Sequence, residues 1–158
     1  MLSCGVLCCF GANLNLLQTT ELPGIEGDLD HLAIDTAGQR LFVAAEDNGT
    51  LRVIDLKTGK LARTVKGFKT PHSILYLPDQ AELYITDGTK AVQVLDSNSF
   101  AVKRTIPTTP GADSVGVDRK NHLMYAVTGG KDVPMKTSAI TVIDTKSGKN
   151  PVRACSST

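Results

Sequence analysis

The sequence predicts an all-β fold of repeated four-stranded antiparallel units, and two observations predict it. Short runs rich in branched and aromatic residues are separated by turn signals along most of the chain. One block, Arg40 to Lys60 (RLFVAAEDNGTLRVIDLKTGK), then recurs twice in phase: Leu41 to Leu83 is 42 residues, Leu83 to Leu123 is 40, and Asp55 to Asp96 is 41. A period of this size is that of a β-propeller blade. A sandwich would also give short strands and frequent turns, but not in-phase copies of one pattern.

In the first unit, residues 31–35 are the opening strand, 36–39 a turn, and 41–45 and 51–55 a hairpin around Asn48-Gly49. That pair points to a tight primed turn, because both residues tolerate positive φ. A polar turn at 56–60 leads to a fourth strand at 61–65. The second unit repeats the order at 73–77, 82–86, 91–96 and 102–106, and the third at 113–118, 122–127 and 139–144. Residues 129–136 lengthen the middle hairpin of the third unit, and insertions of this kind fall in loops. The units run over about 27–70, 71–111 and 112–149, within a repeat region of 13–149. Ahead of them, residues 17–24 resemble the last strand of each unit and read as a lone outer strand, the arrangement a ring uses when its N-terminus completes the final blade.

About three blades cannot close a ring, which takes about four to eight. The expectation is an incomplete ring, whose missing blades come from a longer parent chain or from association. At the far end, residues 150–158 stop where a fourth strand should run, and Pro151 opposes a central strand there, so this tail is expected to be truncated or disordered. Residues 1–12 are apolar and uncharged, too short to span a bilayer, and similar to the hydrophobic part of a secretory signal with Phe10-Gly11-Ala12 as its cleavage site.

The residues that carry a family resemblance lie in the blades. Tyr84-Ile85-Thr86-Asp87 resembles the YVTN tetrapeptide of the YVTN-type β-propeller repeat family, and Val53-Ile54-Asp55-Leu56-Lys57-Thr58-Gly59-Lys60 and Val142-Ile143-Asp144-Thr145-Lys146-Ser147-Gly148-Lys149 resemble its V-I-D-x-x-T-G-K continuation. The resemblance covers about residues 17–149 and departs at Phe42-Val43-Ala44-Ala45 and Tyr125-Ala126-Val127-Thr128. It implies an N-terminal piece of a seven-bladed YncE-like or lactonase-like propeller, in a family commonly exported, so a periplasmic or secreted location is expected. It does not select an activity, since one fold hosts many.

Composition excludes several classes. The 158 residues carry 17 basic and 16 acidic side chains, a net charge of +1, with no basic run and only four Phe, three Tyr and no Trp. A nucleic-acid groove needs a concentrated positive field and stacking platforms, so no nucleic-acid partner is expected. Cys4, Cys8, Cys9 and Cys155 all lie outside the blades and lack the paired spacing of a zinc site. The sequence has no phosphate loop, dinucleotide fingerprint, G-x-S-x-G elbow or H-E-x-x-H, so no cofactor and no catalytic residue is assigned.

The start of each blade's first strand is where chemistry can gather, because those positions converge on the central channel. They hold Asp28, Asp30 and His31, then Pro71, His72 and Ser73, then Asp113 and Ser114. Asp30, His31, His72 and Asp113 are the candidate ligand-binding residues, with His31, His72 and Asp113 taken as matching places. Such residues ligate a metal, act as acid and base, or hydrogen-bond a polar ligand, and more often hold neighbouring backbone or channel water. Asp35, Asp55, Asp96, Asp118 and Asp144 read as turn residues accepting backbone N–H bonds, and His122 as a solvated turn residue. The expected function is an exported binding or scaffold module for a small molecule or protein. The alternative is a lactonase-like hydrolase, metal-assisted.

Overall fold

The computed structural model of the protein describes residues 14–130, 133–134 and 136–149. Blade one consists of β1 (Leu29–Asp35), β2 (Arg40–Ala45), β3 (Thr50–Asp55) and β4 (Lys60–Lys66), hydrogen-bonded in that order. Blade two repeats it with β5 (Pro71–Leu77), β6 (Glu82–Asp87), β7 (Ala91–Asp96) and β8 (Val102–Pro107). Blade three contains β9 (Val115–Asp118), β10 (Leu123–Thr128) and β11 (Ala139–Asp144). All neighbours are antiparallel. No α-helix occurs among the described residues, and the 3-10 turn Pro78–Gln80 joins β5 to β6. The apolar leader, and the tail where a fourth strand of blade three would run, lie outside the described residues.

Strand β5 lies against both β1 and β9, so the first strands stand side by side and the later strands run outward from them. Because side chains alternate across a strand, each central blade is apolar on both faces. From β6, Leu83 and Ile85 turn to blade one, where they meet Phe42, Ala44, Leu51 and Val53. Tyr84 turns to blade three, where it joins Val92 and Val94 against Met124, Ala126 and Ile143. Each fully buried large side chain here contributes about 1.5–3 kcal/mol.

Pairing register fixes which residues correspond between blades. Leu41, Leu83 and Met124 each face the matching first-strand residue, Ile34, Tyr76 and Val117. Met124, not Leu123, is therefore the counterpart of Leu83, and the spacings become 42 and 41. A one-residue slip would turn blade three over; Met124 is fully buried, whereas Leu123 is not.

Two other expectations are revised. The β2–β3 loop is a four-residue turn in which Gly49 N–H donates to Glu46 O at 3.0 Å, and Gly49 alone of the pair is left-handed, at φ +58°. Asn48 instead sends its side-chain amide to the Glu26 carbonyl, 3.0 Å away. Residues 17–24 are irregular, and the final blade they were expected to complete is not among the described residues. Leu17 and Leu22 border a groove on the outer face of blade one with Leu29, Leu32, Leu41 and Val43, and Leu17 remains almost fully exposed. His122 is half-buried rather than solvated. The turn aspartates behave as read: Gly38, Thr58, Ser99, Asn121 and Ser147 each donate a backbone N–H to the aspartate three residues before them.

Candidate functional site

Each first strand opens on a β-bulge. In blade one Leu29 pairs with Ala45 and Leu32 with Val43, so Asp30 and His31 together oppose one residue. In blade two Pro71 pairs with Asp87 and Ile74 with Ile85, which sets His72 and Ser73 in the same position. In blade three Asp113 N–H donates to Val127 O at 3.0 Å and Val127 N–H to Ser114 O at 2.9 Å, again two residues against one. A bulge bends the strand and re-aims the side chains at its corner.

The first residues of the three bulges are Asp30, His72 and Asp113, and one ligand atom from each lies within 4.8 Å of the others. Asp30 therefore shares the place of His72 and Asp113. His31 corresponds to Ser73 and Ser114. The imidazole of His31 is half-exposed and contacts Asp30 Oδ1, while His72 Nδ1 lies 2.8 Å from Asp30 Oδ2. Asp30 is thus held between two imidazoles.

Glu46 completes the group, with Oε2 3.6 Å from His72 Nδ1, and sequence reasoning missed it. Its counterparts are Gly88 and Gly129: the backbone N–H groups of all three donate to a carbonyl two or three residues ahead of a bulge, at Asp28, Thr70 and Pro110 respectively. The signal was a carboxylate standing where the other repeats have no side chain. A Cβ at Gly88 would fall 2.6 Å from Thr70 Oγ1 and 2.8 Å from His72 Nε2, so glycine keeps that space open. The result is a cavity of about 190 Å³ lined by Glu46, Thr70, His72, Asp113 and Val133 among others.

Burial pushes the Glu46 carboxyl up, and Asp30, Asp47 and Asp28 add to the shift against the opposing pull of His72. The site is therefore short of positive charge. Buried bonds hold its walls in place: Ser73 N–H donates to Thr86 Oγ1 at 2.8 Å, and Thr86 Oγ1 donates to Asp113 O at 2.7 Å, tying the second bulge to the third. Asp87 accepts from Lys69 N–H at 2.9 Å; burial opposes its ionisation, but this bond and those from Thr89 outweigh burial and hold its carboxyl below the usual range. Carboxylates mixed with imidazole suit a divalent cation or an ammonium group, and a carboxylate-bound imidazole can also move a proton.

Three in-phase antiparallel sheets, first strands side by side, decide the architecture. The chain is built of β-propeller blades. The propeller matches, over 82% of this chain and 38% of the other, Kuenenia stuttgartiensis hydrazine synthase, with a TM-score of 0.66 and 21% identity. It also matches a protein of unknown function from Bacteroides caccae, with a TM-score of 0.63 and 18% identity over 76% of this chain and 46% of that one. At these identities the likeness is one of fold. In sequence, the propeller is distantly homologous to the uncharacterized protein YncE of Salmonella typhi, 28% identical over 93 residues. That match takes in 57% of this chain and 26% of YncE, so it reaches about a quarter of the relative's length. No family model matches the chain.

Proposed function

We propose that the chain is a binding module that holds a small-molecule or protein ligand at the axial funnel through Asp30, His31, His72 and Asp113. The observation that carries this reading is the convergence of one donor from each blade, all three within 4.8 Å, beside the added carboxylate of Glu46. The charge of the group selects a cationic ligand or one presenting a cation. The test is isothermal titration of the full chain with calcium, zinc and choline, repeated on Asp30→Asn, His72→Gln and Asp113→Asn. Saturable binding of one of the three that each substitution abolishes supports the reading. No saturable binding, or binding indifferent to the substitutions, overturns it.

The 2.8 Å pair of His72 and Asp30 favours a second reading, a metal-assisted lactonase-like hydrolase. Here Asp30 and Asp113 would hold the metal, which would supply Lewis-acid polarisation of a cyclic ester's carbonyl, and His72 would take the proton of the attacking water. Lactone hydrolysis that requires both the metal and His72 would favour it over simple binding.

In either reading the remaining blades come from a longer parent chain or from association, supported by the partial span against each relative. An exported, periplasmic or secreted location rests on the apolar, uncharged opening of the sequence. Mass spectrometry of the protein recovered from the cell envelope would detect the cleaved leader.

A further inference from the structure

On the rim opposite the axial site, the join between blades two and three opens into a cavity of about 410 Å³. Leu77, Glu82 and Arg104 line it from blade two, and Val117, Arg119, His122 and Lys146 from blade three. Its size is that of a small-ligand pocket.

The repeat supplies an internal comparison. Leu56, Ser97 and Thr145 donate their backbone N–H groups to Gln39, Ala81 and His122 respectively, and these three acceptors are all left-handed, at φ +53°, +50° and +58°. His122 thus stands where blade two has Ala81. By the same registers Val117 stands in place of Tyr76, Arg119 of Pro78, and Lys146 of Asn98.

At the first join these places are filled and neutral. Tyr76 packs on Phe42 at 5.6 Å between ring centroids, and the Arg63 guanidinium lies 4.9 Å from the Phe100 ring. Arg40 is fully engaged, 2.7 Å from Asp35 Oδ2 and donating to Ser97 O at 2.6 Å. At the second join valine replaces the tyrosine and leaves room. Three basic residues replace a proline, an alanine and an asparagine, and none of the three takes part in a salt bridge among the described residues. Two acids also line the cavity: Glu82, neutralised by Lys103 at 2.7 Å and Arg104 at 2.6 Å, and Asp79, which is exposed to solvent. Arg104 Nε is buried without a hydrogen-bond partner.

We propose that this cavity binds a small organic anion, its carboxylate held by Arg119, Lys146 and His122 and its apolar body against Leu77 and Val117. Arg119 and Lys146, without salt bridges among the described residues, recognise the charge beside an apolar wall, His122 adds a hydrogen bond, and charge-assisted bonds supply most of the selectivity. The pocket is independent of the axial site.

The test is a titration of the isotope-labelled full chain followed by NMR, with benzoate as probe, benzyl alcohol as its uncharged analogue and inorganic phosphate as an anion without a body. Benzoate is expected to give saturable shifts at the amides of Val117, Arg119, His122 and Lys146, with the other two probes at least about tenfold weaker. Arg119→Ala and Lys146→Ala should each weaken benzoate about tenfold. Val117→Tyr, which restores the blade-two residue, should block binding while leaving the amides of Asp30, His72 and Asp113 unmoved. Non-saturating shifts, an equal response to benzyl alcohol or to phosphate, or undiminished binding by Val117→Tyr would overturn the assignment.

Discussion

Glu46 illustrates how one side chain can act against the fold that holds it. Its carboxyl is raised by burial and by neighbouring acids. The folded chain therefore binds this proton more tightly than the unfolded chain. Stability falls as pH rises from the ordinary glutamate range through the raised value, and the full penalty is present above it. Glu46→Gln should accordingly melt at a higher temperature than the native chain at neutral pH, with the gap closing as pH falls through the ordinary range. A gap that persists in acid would mean that something other than the charge is responsible. Asp35 works in the other direction. Burial alone would raise its carboxyl, but Gly38 N–H and Arg40 outweigh this and lower it, so its contribution is lost as pH falls through that lowered value.

At the scale of the element, the turns after the third strands share one plan and differ in one residue. Gly59, Phe100 and Gly148 close them at φ +65°, +63° and +67°, their N–H groups donating to Asp55, Asp96 and Asp144. Phe100 pays a steric penalty of about 1–2 kcal/mol there. What holds it is packing: its ring lies 6.3 Å from that of Phe42 at the first join. Losing a buried phenyl costs about 3–5 kcal/mol, so Phe100→Gly should destabilise the chain by a net of about 2–3 kcal/mol in urea unfolding. A stabilised variant would show that strain outweighs packing. These turns also show why so much of the architecture was legible. The aspartate, the small polar residues and the glycine act within five residues, and the strand period repeats them in phase. His72 and Asp113 were legible for the same reason, being one period of 41 apart, whereas Asp30 was noted beside His31 without being matched to them. Glu46 and the groove at His122 were not, because each depends on which neighbouring blade a loop folds against, and no local pattern encodes that. The misplacement of His31 was a register error of one residue, which the bulge conceals in the sequence.

Among the described residues, the outer faces of blades one and three are largely exposed. Leu32 and Ile34 on blade one are 61% and 53% exposed, and Ile140 on blade three is 65% exposed, beside Tyr125 and Val127. Between them, the two inner joins bury the equivalent faces. Apolar patches of this kind drive association. Sedimentation of the 158-residue chain should show mass rising with concentration, and Leu32→Lys or Ile140→Lys should suppress the rise. A chain that stays monomeric at all concentrations would mean that these faces are too weakly apolar to associate. The uneven distribution of chemistry between the two rims also matters at this scale. Three acids surround His72 at one rim, and Arg119, His122 and Lys146 line the cavity at the other alongside Asp79 and Glu82.

The recurrent bulge has an evolutionary consequence. It turns the leading side chain of each blade's bulge, Asp30, His72 or Asp113, toward the axis and leaves most of the repeat to packing. Duplicating a blade therefore adds one functional group to the centre, and a single codon change retunes that group without disturbing the scaffold. A lineage of such chains can explore ligand chemistry in discrete steps, one per repeat, with foldability inherited intact at each step.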